Sequence, residues 1–143
     1  MDVIACKKGG VGVMYLLCTF VGLIISASGF AMMGEGIIMG IAGIAIALIS
    51  GYVFFSYVSL PYAVIQLDSD NNLHLPKNLV VNVGDVLDVS YRRASARGIQ
   101  YRWGSVTLST RLGTYRYGYI ADCESVAKSL TDMIYQAKYK KAD

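Results

Sequence analysis

The chain has 143 residues, of which 55% are hydrophobic and only 16% charged, with a formal net charge of +3 and a mean hydropathy of +0.46. This composition excludes a disordered chain and argues against an ordinary water-soluble domain. Charge is unevenly placed: between Gly9 and Leu60 the only charged residue is Glu35. The first half therefore reads as membrane and the second as soluble.

Residues 1–10 read as a cytoplasmic tail. It carries Lys7 and Lys8 and ends in a glycine-rich stretch, Lys8-Gly-Gly-Val-Gly12. That stretch follows no predicted strand and lacks the Lys-Ser/Thr ending of a phosphate loop, so it reads as a flexible lead into the membrane. Two apolar runs follow, 11–33 and 37–60. Each exceeds the roughly 20 residues that cross a ~30 Å hydrocarbon core as a helix. In lipid the backbone must satisfy its own hydrogen bonds, so both runs are expected to be helical. Gly34-Glu35-Gly36 leaves room only for a tight turn, and the two runs form a hairpin.

Basic residues set the orientation. Lys7 and Lys8 precede the first span, the tip has neither Lys nor Arg, and eleven basic residues follow the second span. The positive-inside rule then places both termini in the cytoplasm, in a cell inner (plasma) membrane. Small residues punctuate the spans: Gly22, Ser26 and Gly29 in the first, and Gly36, Gly40, Gly43, Ala47 and Gly51 in the second. Such patterns let helices approach closely. Two readings follow: contact between the two helices of one hairpin, or docking of a second copy or of another membrane protein. Neither span contains an Asp, Glu, Lys, Arg or His, so machinery for proton or ion transport is not visible.

Pro61 ends the second helix, and 61–143 is expected to form a cytoplasmic domain. Short β segments are predicted at 62–68, 73–75, 79–83, 86–92, 99–103, 106–110 and 114–120, with a polar loop at 93–98. Tyr115, Tyr117 and Tyr119 alternate and are expected on one face. A final helix opens near Asp122 and Glu124. Its apolar stripe is Val126, Leu130, Met133, Ile134 and Ala137, and Lys138, Lys140 and Lys141 close it.

Four pieces of this half carry a family resemblance: Asp85-Val-Leu-Asp-Val89 ahead of an arginine-rich loop, Gly104-Ser-Val-Thr-Leu-Ser-Thr110, Gly118-Tyr-Ile120 and Asp122-Cys-Glu-Ser-Val-Ala127. In this order, residues 62–139 resemble the bacterial pleckstrin-homology group found beside transmembrane hairpins in small membrane proteins. The resemblance implies an α+β membrane protein, in which a PH-like antiparallel barrel or sandwich is capped by a C-terminal helix. It implies no reaction. Phosphoinositide-binding PH domains cluster Lys and Arg between their first two strands; here Asp68-Ser-Asp-Asn-Asn72 is acidic, and no headgroup-binding residue carries over.

Chemistry-bearing residues are few. Between Val89 and Ala121 there are six arginines and no acidic residue, interleaved with Tyr91, Tyr101, Trp103 and Tyr115. Arg92, Arg93, Arg97, Arg102 and Trp103 are the candidate basic patch, facing anionic lipid headgroups or a protein partner. The plainer reading is a solvated basic face. Nucleic acid is not expected as a partner for a membrane-tethered domain of this size. His74 is the only histidine, and Cys6, Cys18 and Cys123 are dispersed. No nucleophile–base pair, metal set or cofactor is therefore expected, and Asp85 and Asp88 read as surface carboxylates. The function expected is non-enzymatic binding or scaffolding at the cytoplasmic face. The alternative is an accessory or immunity-type subunit acting through its spans.

Overall fold

The computed structural model describes residues 1–32, 34 and 36–139. Met33 at the expected end of the first span, Glu35 at the tip, and Lys140 and Lys141 lie outside the described residues. The chain divides into two compact units, one of residues 9–59 and one of 1–8 together with 60 onward.

The smaller unit is a helical hairpin of α1 (Val11–Ala31) and α2 (Ile37–Val58). Both are long and apolar enough to cross a membrane, at about 32 Å each by the helical rise. Their buried positions are almost all small: Gly22, Ser26 and Gly29 on α1, and Gly40, Gly43, Ala47 and Ser50 on α2. These residues face each other. A Cβ added to Gly22 would stand 2.8 Å from the Ala47 nitrogen, one on Gly43 2.7 Å from the Gly22 oxygen, and one on Gly29 2.8 Å from the Gly40 Cα. The helices are thus in backbone contact, which only residues without side-chain bulk permit. The Thr19 and Ser50 hydroxyls meet across the same seam at 3.1 Å. Of the two readings of the small stripe, the contact within one hairpin is the one observed. Gly36 lies before α2, where a Cβ would meet Met32 Cβ at 2.8 Å. Large apolar side chains such as Ile38, Leu48 and Ile49 point outward.

The larger unit begins with a strand that the sequence reading missed. β1 (Asp2–Cys6) pairs antiparallel with β2 (Ala63–Leu67), Ala5 standing opposite Ile65. Residues 1–10 are therefore not simply a tail. Val3-Ile4-Ala5 has the apolar content of a short strand, and Ala5 is completely buried. Its partner is nearly sixty residues away in the chain, so local patterning could not reveal the pairing. β3 (Asn72–Leu75) and β4 (Leu79–Asn82) complete a four-stranded sheet in the order β1-β2-β3-β4.

A 3₁₀ turn over Val83–Asp85 leads to a second, three-stranded sheet of β5 (Val86–Ala96), β6 (Ile99–Thr110) and β7 (Gly113–Ile120). The expected polar loop at 93–98 is instead the end of a long hairpin. β5 and β6 run into a two-residue turn at Arg97-Gly98, with φ of +50° and +82°, the left-handed pair that matches strand twist. The two segments predicted at 99–103 and 106–110 are one strand. The seven strands form two separate antiparallel sheets, so the barrel form of the expectation gives way to an open arrangement. α3 (Cys123–Tyr139) packs on β1, β5 and β6, burying Val126, Leu130 and Ile134 as its stripe requires. Ile65, Leu73, Leu108, Ile120 and Leu130 are the largest fully buried side chains of the shared core.

Residues 6–8 stitch the sheets together. The Lys7 amide donates to the Tyr62 oxygen at 2.8 Å, the Ala121 amide to the Cys6 oxygen at 2.9 Å and the Lys8 amide to the Tyr119 oxygen at 2.7 Å.

Candidate functional site: an arginine groove on the second sheet

The second sheet is regular along most of its length and broken in one place. On β6, Gly104 pairs with Arg93 of β5 and with Ile120 of β7, and the register slips on both sides of it. Between Arg93–Gly104 and Ser95–Gln100, the single residue Ala94 faces Tyr101, Arg102 and Trp103. Between Gly104–Ile120 and Val106–Tyr117, β7 carries one extra residue. Bulges of this kind re-aim side chains and are common beside binding sites. Gly104 is required here, because a Cβ would lie 2.9 Å from the Arg93 Cα and closer still to the Arg92 carbonyl oxygen.

Tyr119 absorbs the second bulge at φ +57°, a left-handed conformation unfavourable for an aromatic residue. The expected alternation of Tyr115, Tyr117 and Tyr119 ends there. Tyr117 packs against the core, while Tyr119 stacks on Trp103 with centroids 6.3 Å apart and planes 17° from parallel. Tyr101 continues the row, 6.1 Å from Trp103.

The broken ladders leave an open groove of about 380 Å³. Arg92 and Arg93 of β5 and Arg116 of β7 supply its charge, Ser95 and Ser105 its hydroxyls, and Trp103 and Tyr119 its aromatic wall. Arg93 is paired with Glu124 in the first turn of α3. Arg116 donates from Nη2 to the Ser105 Oγ at 3.3 Å. Among the described residues neither Arg92 nor Arg116 has a carboxylate partner. The fully buried Cys123 thiol approaches the carbonyl oxygens of Arg102 (3.5 Å) and Arg92 (4.0 Å). Burial pushes this thiol up from its ordinary pKa, and burial does the same to the Tyr117 hydroxyl.

Of the predicted patch, Arg92, Arg93 and Trp103 come together in the groove. Arg102 lines a neighbouring hollow of about 400 Å³ with Lys8, Tyr101, Trp103 and Asp122. Arg97 sits at the tip of the β5–β6 hairpin and does not line the groove. Arg116, with Ser95, Ser105 and Gly118, was missed. The acid-free stretch contains Arg116, but only the pairing of β6 with β7 brings it beside Arg92.

The remaining chemistry-bearing residues lie elsewhere. His74 stands 3.5 Å from Asp68, lining a separate hollow with Gln66 and Asn78. Asp85 lies 3.9 Å from Arg111. Among the described residues no three His, Cys, Asp or Glu side chains converge as metal ligands, and the three cysteines are free thiols.

No protein-family model matches the chain, and neither the curated proteins nor the solved structures include a significant match.

Proposed function

We propose that the protein is a non-enzymatic, membrane-anchored binding module with a PH-like soluble unit, working at the cytoplasmic face of a bacterial inner membrane. The observation that carries this reading is the open arginine groove on a folded unit whose two chain connections both lead to an apolar hairpin. Because β1 and β2 pair, both ends of the hairpin belong on one side of any bilayer it spans. The excess of Lys and Arg beside those ends favours the cytoplasm. A four-stranded and a three-stranded antiparallel sheet capped by a C-terminal helix support the PH-like reading. The groove offers guanidinium, hydroxyl and aromatic groups, which suit recognition of an anion more than bond-breaking chemistry.

The alternative is an accessory or immunity-type subunit acting through its spans; the small-residue stripe that motivates it forms the contact between the two helices of the hairpin. Substituting Gly40 and Gly43 would now disturb the hairpin itself. The fair test of that alternative is the outward surface, for example Ile38, Leu48 and Ile49 changed to Ala.

The experiment is alkaline extraction of membranes from cells expressing the tagged chain, with reporter fusions at both termini. The anchored reading expects the chain in the membrane pellet with both reporters cytoplasmic. Release into the supernatant, or a terminus outside, overturns it. Purification in mild detergent then identifies co-purifying lipids and proteins, and loss of a ligand on Arg92→Glu and Arg116→Glu assigns it to the groove.

A further inference from the structure

The groove contains more cationic charge than its own carboxylates balance. Three guanidinium groups, from Arg92, Arg93 and Arg116, share one open hollow, and among the described residues Glu124 on Arg93 is the one carboxylate partner they have. Like charges lining one hollow favour an added anion. Planar guanidinium forks match the oxygens of a phosphate better than a point charge does. Ser105 accepts from Arg116 and so keeps its own hydroxyl proton to donate. We propose that the groove is an oxyanion site for the phosphate of an anionic membrane lipid, gripped by Arg92 and Arg116 with Trp103 and Tyr119 as an aromatic shelf.

Two observations favour a lipid over a soluble phosphate. The Lys8 amide is bonded to the carbonyl of Tyr119, which lines the groove. Only Gly9 and Gly10 separate Lys8 from Val11, where α1 begins, a path of about 10 Å fully extended. Only two residues of chain therefore link the groove-bearing unit to a helix long and apolar enough to cross a membrane. The groove is also open and lined by Trp103 and Tyr119, residue types suited to a boundary between apolar and polar surroundings. Glu124 then has a defined part: it neutralises Arg93 in the empty groove and competes with the incoming phosphate.

The inference rests on the membrane-anchored reading above, and one assay separates the two. Trp103 is the only tryptophan in the chain, so its emission reports on the groove in the full-length protein held in an uncharged detergent. Titration with dioctanoyl phosphatidylglycerol is expected to give a saturable change. Dioctanoyl phosphatidylcholine, whose own ammonium group cancels the charge, and inorganic phosphate are expected to bind at least tenfold more weakly.

Arg92→Gln and Arg116→Gln should each weaken phosphatidylglycerol about tenfold, the loss of one charged hydrogen-bonding group. Glu124→Gln should tighten it, and Arg97→Gln, outside the groove, should leave it unchanged. A Cβ at Gly118 meets no atom within 4 Å, so Gly118→Leu provides a variant that fills the groove without altering charge and should also abolish the change. No saturable response, equal binding by the Arg92 and Arg116 variants, or inorganic phosphate binding as tightly as the lipid would each overturn the proposal. If the chain resists alkaline extraction yet shows no phosphatidylglycerol response, the groove assignment fails and the anchored reading stands. If it is extracted, the anchored reading itself fails.

Discussion

The backbone amide of Lys8 donates a 2.7 Å hydrogen bond to the carbonyl of Tyr119. These residues are separated by more than a hundred positions, and the bond joins the segment ahead of the first apolar helix to the strand that builds the arginine groove. With the Ala121–Cys6 bond next to it, it makes the first eight residues part of the larger unit's framework.

The larger unit is therefore expected to depend on its N-terminal strand. A chain lacking residues 2–6 loses the pairing with β2 and the burial of Ala5, at about 1 kcal/mol for each ladder hydrogen bond given up. Residues 60–143 alone should show no cooperative thermal transition by circular dichroism. Joining residues 1–8 to residue 60 through a flexible Gly/Ser linker, in place of the hairpin, should restore it. A sharp transition in the 60–143 fragment would show that β1 is dispensable.

Hairpin packing yields a graded glycine series. Gly22→Ala and Gly43→Ala push a methyl group into facing backbone and should destabilise the hairpin by about 1–3 kcal/mol. Gly40→Ala meets the Phe30 ring at 2.9 Å, a side chain able to swing aside, and should cost less. Gly51→Ala, whose nearest neighbour is a Thr19 methyl at 3.9 Å, should be close to neutral. Thermal aggregation of the four variants in one detergent ranks them. Equal losses at Gly22 and Gly51 would contradict the observed seam.

Gly104→Ala should destabilise the larger unit while leaving the hairpin intact, since its Cβ collides with β5 backbone rather than with a flexible side chain. A loss of about 1–3 kcal/mol is expected, read as a lower thermal midpoint for the strand signal. Full stability would mean that β5 and β6 separate readily at the bulge.

Acid should weaken the first sheet's loop. The Ser69 amide hydrogen bond, with His74 adding to it, holds the Asp68 carboxyl below its ordinary pKa. A folded value below the unfolded one means that the contribution is present above about pH 4 and is lost as pH falls through the folded value. Thermal midpoints measured from pH 6 down to pH 3 should fall less steeply for Asp68→Asn than for the parent.

The alkaline side should run the other way through Cys123 and Tyr117, whose burial raises their pKa values. The neutral forms are favoured in the fold, so the Cys123 contribution is present below the unfolded thiol value near about pH 8.5 and the Tyr117 contribution below the unfolded phenol value near about pH 10, each being lost as pH rises through the folded value. The Cys123 thiol should accordingly react with maleimide much more slowly than the half-buried Cys6. Comparable rates at pH 8 for single-cysteine versions would show that the core around Cys123 opens.

Much of the chain was legible from local pattern. Two uncharged apolar runs define the hairpin within two residues at most ends, because helices in lipid answer to length and hydropathy alone. The stripe Val126, Leu130, Ile134 marks α3 and its buried face, since helical periodicity is written into consecutive residues. The strands from β2 to β4 follow from short apolar runs and the turns between them. What local pattern could not reveal are relationships across the chain. Val3-Ile4-Ala5 has no visible partner until Ile65 stands opposite Ala5. The 93–98 segment looks like a loop by polarity, yet pairing with β6 extends it as strand, because inter-strand hydrogen bonds override weak residue preference. Arg116 joins Arg92 only through the β6 registers on either side of Gly104, and Arg97, five residues from Arg92, turns away at the hairpin tip. Composition determined that the protein is basic, membrane-like in one half and sheet-forming in the other. Which arginines share a groove was settled by strand register, where a slip of one residue moves a side chain to the opposite face.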